Sequence, residues 1–432
     1  MLADGGEIEE GKFMVRSWLG GAIVALVAIS GAVATPAAAQ IEETPYFEGQ
    51  KLAWTYVSLS RPTTSYWNAS GDAPVGLGVK PVGLFRSFFR LDTSKVSRTH
   101  ILNARLATFQ NSGECKPGVE LWLTGEISEQ TTWVRQPSWI KKLGTAGCPG
   151  QSYRAVTDAV TEAAARGAQH VTFGLKSADE TDLRGRSVFE TEYYVDTGIY
   201  RRSPKLMINF NTPPAKPPRT ALTNGDCYVT PPEEWQQRDY AATTTPTMVA
   251  EIVDPDEAGT GQQYVFGRVE WRAPGGAVLG DVASEPRRSG QWVCAQVPAG
   301  QLSDGGTYEW RIRAEDGIDV SEWTEWQKFT VDATRPESAP DIVSTDYPEE
   351  QFSGGVGVQG TFTFTPHGVT DVVGYAYGFG GSPSSDVLTA NSDGSLTFTF
   401  TPDRSGPFTL SVVSVDRAGH WSPQRDYMFF VN

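Results

Sequence analysis

Side chains that could act on a substrate are unevenly supplied in this chain of 432 residues. Only four histidines occur, His100, His170, His367 and His420, and they are scattered. No GxSxG frames a nucleophilic serine, and no HExxH frames a zinc pair. Each histidine is therefore expected as a surface or half-buried residue, and the chain is expected not to be an enzyme. Acids are plentiful, with 51 Asp and Glu. They permit many carboxylate pairs, and only geometry could select a hydrolytic one. Gly355-Val-Gly357-Val-Gln-Gly360 matches GxGxxG, but Thr361–Thr365 after it alternates with period two and ends at Pro366. That is a tight turn into a strand, not a dinucleotide loop into a helix.

Two acidic runs could offer oxygens to a metal: Asp254-Pro-Asp256-Glu257 and Asp316-Gly-Ile-Asp319. Read as an EF-hand, the first fails. Ala258 takes a ligand position and Val265 stands where the bidentate Glu is required. Both runs read first as solvated acidic turns. No cofactor is expected beyond a weak calcium site that would stiffen a joint between domains. Four cysteines, Cys115, Cys148, Cys227 and Cys294, contain no CxxC, which argues against redox chemistry and zinc. Three pairings are open. Proximity in sequence favours Cys115–Cys148 and Cys227–Cys294. Loops of those lengths contribute about 4 kcal/mol each in the chain-entropy model.

The aromatics are the positive signal. Sugar C–H faces stack on Trp and Tyr rings while hydroxyls take polar partners. Trp54, Trp67, Trp122, Trp133 and Trp139 are available in the first part of the chain. Val119, Leu121 and Leu123 share one face of a strand, so Trp122 points the other way, beside Glu120 and Thr124. Trp67 lies in a polar loop with Tyr66, Asn68 and Asp72. Trp67, Tyr66 and Trp122 are the candidate ligand contacts. Against them stands the habit of sandwich tryptophans to pack in cores. Trp310, Trp323 and Trp326 are expected to be packing residues.

The elements that must hold these side chains are strands. The run Tyr308–Val331 alternates large apolar with polar residues, turns at glycine and alternates again, and it returns as Phe408–Val431. Tyr308, Trp310, Ile312, Asp316, Phe329 and Val331 recur as Phe408, Leu410, Val412, Asp416, Phe429 and Val431, while Trp323 recurs as Trp421. A repeat of this size is one Ig-like sandwich. Ahead of it, alternation marks strands at Leu52/Trp54/Tyr56, Leu102/Ala104/Leu106, Val119/Leu121/Leu123, Val171/Phe173/Leu175 and Leu206/Ile208/Phe210. Tyr153–Arg166 instead carries Val156, Ala159, Val160, Ala163 and Ala164 at helical spacing and stops at Gly167. The fold class is all-β: a jelly-roll-like β-sandwich domain, then two Ig/fibronectin-III-like β-sandwiches in tandem.

The expected divisions are a signal peptide at 1–39, a β-sandwich at 41–212, a stiff proline-rich linker at 213–226 that holds the first domain away, a second sandwich at 227–332 and a third at 340–432. Lys12 and Arg16, the apolar run Leu19–Val33 and Ala37-Ala38-Ala39 form the secretory pattern. The apolar run is short for a membrane anchor, so no membrane span is expected in the mature chain. The net charge of −15 argues against nucleic acid as a partner.

Arg86-Ser-Phe-Phe-Arg-Leu-Asp92, His100–Leu106, Val119–Thr124, Thr132-Trp-Val-Arg-Gln-Pro137, the helix and His170–Leu175 together resemble the DNRLRE-type domain. That family comprises secreted sandwich modules related to carbohydrate-binding modules. The resemblance implies polysaccharide binding, and it implies that Trp133 and Trp139 are core residues. It carries over no binding residue, because the name motif is absent here. Leu302 followed by Tyr308 resembles the tyrosine corner of fibronectin type III folds. Asp346-Tyr347-Pro348 and Asp416-Arg-Ala-Gly419 resemble bacterial Ig-like repeats. The expectation is a secreted or cell-surface, non-enzymatic modular protein that binds a polysaccharide or cell-wall glycan through its first domain. The alternatives are a structural or adhesive protein that binds surface proteins, and an unrecognised extracellular hydrolase.

Overall fold

The computed structural model describes residues 44–147, 150–192, 194–196, 199–225, 227, 238–256 and 264–432. The expected signal segment, Cys148 of the expected Cys115–Cys148 pair and Glu257 lie outside the described residues. No helix among the described residues is long and apolar enough to cross a membrane.

The first sandwich uses β1 (Tyr46–Ser58), β2 (Ala73–Val79), β3 (Val82–Asp92), β4 (His100–Gly113), β5 (Val119–Thr124), β6 (Trp139–Ala146), β7 (Gln151–Ala155), α1 (Thr157–Ala165), β8 (His170–Ser177), β9 (Ser187–Phe189) and β12 (Lys205–Asn211), with a separate hairpin β10 (Tyr194–Asp196) and β11 (Ile199–Arg201). The first half of β1 pairs with β12 and its second half with β3, the register slipping between Lys51 and Ala53. Such a slip bends a strand from one sheet into the next. It also overturns part of the expected Leu52/Trp54/Tyr56 face. Trp54 enters the core at 2% exposure, while Leu52 is left 51% exposed. From β3 the sheet continues through β8 and β5 to β6, and from β12 through β4 to β7. Phe89, Leu91, Leu106, Val119, Leu121, Phe173, Leu175, Leu206 and Ile208 fill the space between.

The helix is shorter than its spacing predicts. Ala159, Val160, Ala163 and Ala164 are buried as expected and Gly167 ends the turn at φ +69. Tyr153, however, lies on β7, paired with Ala107 of β4. Its neighbour Arg154 turns inward, with Nη1 donating to the carbonyl of Val119 at 3.1 Å.

The second sandwich sets β13 (Thr220–Thr223), β15 (Thr247–Glu251) and β19 (Trp292–Gln296) against β14 (Tyr240–Ala241), β21 (Gln327–Val331), β20 (Thr307–Glu315), β16 (Tyr264–Arg272) and β17 (Val278–Ala283), with β18 (Arg287–Arg288) beside β16. The third repeats that order: β22 (Asp341–Val343), β24 (Gly360–Thr365) and β27 (Leu396–Phe400) against β23 (Phe352–Ser353), β29 (Arg425–Val431), β28 (Gly406–Asp416), β25 (Val372–Phe379) and β26 (Val387–Thr389). Both are fibronectin-III/Ig-like sandwiches. The repeat read from sequence is a repeat of core positions. Trp310, Ile312, Phe329 and Val331 fill one core, and Leu410, Val412, Phe429 and Val431 fill the other. Tyr308 makes the expected corner, its hydroxyl oxygen accepting from the Ser303 amide at 3.0 Å. Cys227 and Cys294 form a disulfide. The Gly355–Gly360 run is a turn leading into β24. Gly360 has no room for a side chain, because an added Cβ would sit 2.3 Å from the ring of Tyr347.

Trp323 and Trp326 pack, but not in the core. On the outer face of β16 and β20, arginine planes alternate with their rings. Arg272 lies 3.9 Å from the centre of Trp326, Arg311 4.4 Å from both, and Arg313 4.6 Å from Trp323. Each arginine is also ion-paired, to Glu309, Glu270 and Glu315 respectively.

The proline-rich segment does not behave as the detached spacer that composition predicts. Pro214 and Pro217 are buried, and Ala215 donates its amide to Val253 at 2.8 Å. Proline fixes the extended backbone, and here that backbone lies along the second sandwich.

Candidate functional site

The outer face of the β3–β8–β5 sheet positions two of the three sequence candidates, Trp122 and Trp67. Strand alternation turns Trp122 outward as expected, level with Gly174 of β8. Its indole N–H donates to Glu120 Oε2 at 2.9 Å. Lys142 donates to the other oxygen of Glu120 at 2.6 Å, and Lys176 lies 3.5 Å from Glu120. Burial works against ionising Glu120, but the hydrogen bonds from Lys142 and Trp122, together with the charges of Lys176 and Lys142, hold the carboxyl below its ordinary range. The Lys176 ammonium sits 4.7 Å from the centre of the Trp122 ring, and Trp139 meets that ring edge-on at 5.8 Å. Trp122 is half-buried, with its polar edge satisfied and one face already taken.

Trp67 has another task. It packs with Trp133 and Trp139 over Val57, Phe88 and Ile127, a small second core on the outside of the sheet. The core role expected of Trp133 and Trp139 agrees with that packing. Arg86 stiffens it: Nε and Nη2 donate to Glu180 at 2.7 Å, Nη1 donates to Gln136 at 3.1 Å, and its plane lies 4.7 Å from the Trp133 ring. Tyr66 faces elsewhere and stacks on Tyr56 at 4.1 Å. Trp122 and Trp67 thus border one cluster, while Tyr66 stands apart from them.

A groove on the opposite sheet was not anticipated. It has a volume of about 520 Å³, within the ordinary range for ligand sites. Its walls come from outward positions on four neighbouring strands: Glu48 and Gln50 of β1, Lys205 and Met207 of β12, Phe109 of β4, and Gln151 and Tyr153 of β7, with Arg202 and Ser203 at one end. Ala107 pairs with both Lys205 and Tyr153, so a small residue lies between two long ones. Tyr153 is 51% exposed. Arg202 covers Phe109 at 4.5 Å and donates to Gln151 Oε1 at 2.7 Å. Lys205 and Tyr46 donate to Glu48 at 2.6 and 2.9 Å. Burial and that bond to Glu48 push the Tyr46 hydroxyl up to about 12.

The groove therefore offers one open aromatic ring with amides, a hydroxyl and two cations around it. Among its lining residues Glu48 is the single carboxylate, and it is tied to Lys205. The sequence hid Tyr153 because the alanine-rich stretch behind it extends a helical period over it. The alternation of Gln151, Tyr153 and Ala155 against Ser152 and Arg154 was the signal available.

Each histidine ring lies beside a carboxylate: His100 and Asp319 at 2.9 Å, His170 and Glu126 at 3.0 Å, His367 and Asp341 at 2.9 Å, His420 and Asp416 at 3.1 Å. These are surface and junction pairs. Of the acids singled out for calcium, Asp316 and Asp319 meet at Asn211, and Asp256 accepts from the Thr212 amide. Asp254 is buried, and desolvation, together with Asp256 and Asp316 nearby, pushes its carboxyl up to about 7.

No family model and no curated protein matches the chain. Among solved structures, fibronectin(III)-like modules of Clostridium thermocellum CbhA match at 14% identity over 45% of this chain and 88% of that one, with a TM-score of 0.29. The FN1-FN3 domains of chicken CNTN1 match at 10% identity over 77% of this chain and 96% of that one, with a TM-score of 0.35. Likeness this distant transfers no function.

Proposed function

We propose that this is an exported modular protein whose first sandwich binds polysaccharide, with the second and third sandwiches as spacers. The observation that carries the reading is the 520 Å³ groove on β1, β12, β4 and β7, where the exposed Tyr153 ring stands among Gln50, Gln151, Ser203 and Lys205. A pyranose can stack on such a ring while its hydroxyls bond to the polar rim. Export accords with the charged, apolar, small-residue order of the first 39 residues and with the Cys227–Cys294 disulfide. The DNRLRE-type resemblance of the first sandwich points the same way.

A second contact is proposed at Trp122, whose half-exposed indole lies beside Lys142 and Lys176 on the other sheet. Pull-down of residues 40–432 on insoluble polysaccharides and on cell wall, with a glycan array beside it, tests the proposal. Retention on a glycan that falls at least tenfold with Tyr153→Ala supports the groove. Retention that falls with Trp122→Ala alone moves the site to the opposite face. Absence of retention on every glycan, with binding to whole cells, contradicts polysaccharide binding and favours an adhesive role.

A further inference from the structure

The chain passes from one sandwich to the next twice, and both passages use the same three places. At the first, Asn211 ends β12, Asp254 lies in the loop after β15, and Asp316 follows β20. At the second, Asp332 follows β21, Asp371 precedes β25 in the corresponding loop, and Asp416 ends β28. Asp316 and Asp416 are folded alike. Oδ1 of Asp316 accepts the amides of Ile318 and Asp319 at 2.7 Å, and Oδ1 of Asp416 accepts those of Ala418 and His420 at 2.9 and 2.8 Å.

The joints differ at the exit residue. The Asn211 amide donates to Asp316 Oδ2 and Asp319 Oδ2, both at 2.8 Å, so the first joint has its own donor between the acids. The second joint has an acid in that place. Carboxylate oxygens of Asp332, Asp371 and Asp416 all lie within 4.8 Å of one another. Asp416 is 1% exposed. Oδ2 of Asp332 is shut off from solvent and has no hydrogen-bond partner. A closed-off oxygen without a donor among the described residues thus faces two further carboxylates.

The basic side chains nearby, among the described residues, are His420 and Arg417. His420 sets Nδ1 3.1 Å from Asp416 Oδ2 and Nε2 3.0 Å from the carbonyl of Ala242. Arg417 is turned to Tyr240, its plane 4.8 Å from that ring. Its positive charge still acts on Asp332, while Asp304 adds a further negative charge there. Among the described residues, acidic side chains thus outnumber basic ones at the joint.

We propose that the second joint is a calcium site, with Asp332, Asp371 and Asp416 as its protein ligands. Calcium takes all-oxygen sets at about 2.3–2.6 Å, so oxygens across one ion lie about 4.8 Å apart. Three carboxylates at that spacing leave positions for water, which suits an affinity of about 10⁻⁴ M, as in extracellular modules. The ion would tie the end of one sandwich to two loops of the next and so set the angle between them. The proposal does not rest on glycan binding.

Calorimetric titration of the EDTA-stripped, dialysed chain (residues 40–432) with calcium chloride at pH 8 tests it, with magnesium chloride as the comparison ion. One saturable calcium site is expected. Asp371→Asn and Asp332→Asn, the latter placing the amide chemistry of the first joint in the second, should each weaken it at least tenfold. Asp254→Asn, at the first joint, should leave it unchanged. Thermal unfolding in EDTA shows that the variants are folded, and a calcium-dependent rise in melting temperature in the wild type that disappears in Asp332→Asn supports the site. Absence of a calcium heat up to 10 mM, or binding indifferent to both substitutions, overturns it.

Discussion

Arg311 joins two indoles and a carboxylate on the outside of the second sandwich, and replacing it with alanine gives a sharp test of how that sheet is braced. Its guanidinium lies 4.4 Å from the centres of both Trp323 and Trp326, and it donates twice to Glu270, at 2.7 and 3.0 Å. Each stacking contact is worth about 0.5–1 kcal/mol when partly exposed. A half-buried ion pair adds up to about 1 kcal/mol. Arg311→Ala should therefore cost about 2 kcal/mol, or roughly 10 °C in the transition of a sandwich of this size. Arg311→Lys keeps the charge but loses the flat plate, and should cost about half as much. Glu270→Gln removes only the ion pair and should cost less than either. Scanning calorimetry of residues 40–432 resolves the affected transition from those of the other sandwiches. An Arg311→Ala variant within about 0.5 kcal/mol of wild type, or an Arg311→Lys variant as stable as wild type, would refute the stacking account.

Other consequences follow from single places in the fold. Reducing Cys227–Cys294, or replacing both with serine, should lower the stability of the second sandwich by about 4 kcal/mol, read as a transition that moves with dithiothreitol. Gly174→Ala should destabilise the first sandwich by about 1–3 kcal/mol, because an added Cβ would lie 2.9 Å from Trp139 and Thr124 and 3.1 Å from Phe88; near-ultraviolet dichroism would follow the displaced indole. Asp254 should give a pH signature. Its carboxyl is raised to about 7 in the folded chain, so the folded state holds a proton that the unfolded state releases near its ordinary value. Stability in EDTA should be greatest below that ordinary value and fall as pH rises to about 7, by on the order of 4 kcal/mol at most. Asp254→Asn should flatten that fall, as followed by urea unfolding across pH 4–8.

What could be read in the chain beforehand was whatever depends on neighbours in sequence. Trp122 was aimed correctly because Val119, Leu121 and Leu123 fix the other face of one short strand. The hairpins of the second and third sandwiches were legible because Trp310 and Ile312 recur as Leu410 and Val412, and both pairs are buried. Leu52 was misplaced because a slipped register between Lys51 and Ala53 carries no local mark. The groove escaped for a related reason. Glu48, Phe109, Tyr153 and Lys205 come from four strands, and only pairing brings them onto one face. The joints were half legible: Asp316 and Asp416 stood out as repeats, whereas Asp332 and Asp371 gained meaning only once the loops met.

The reading as a polysaccharide-binding protein is tested most directly by measuring, on one glycan retained by residues 40–432, the dissociation constants of wild type, Tyr153→Ala and Trp122→Ala by isothermal titration at matched folding. The groove account predicts a loss of at least tenfold for Tyr153→Ala and a smaller change for Trp122→Ala. Equal affinity of wild type and Tyr153→Ala, with both variants folded, would contradict it.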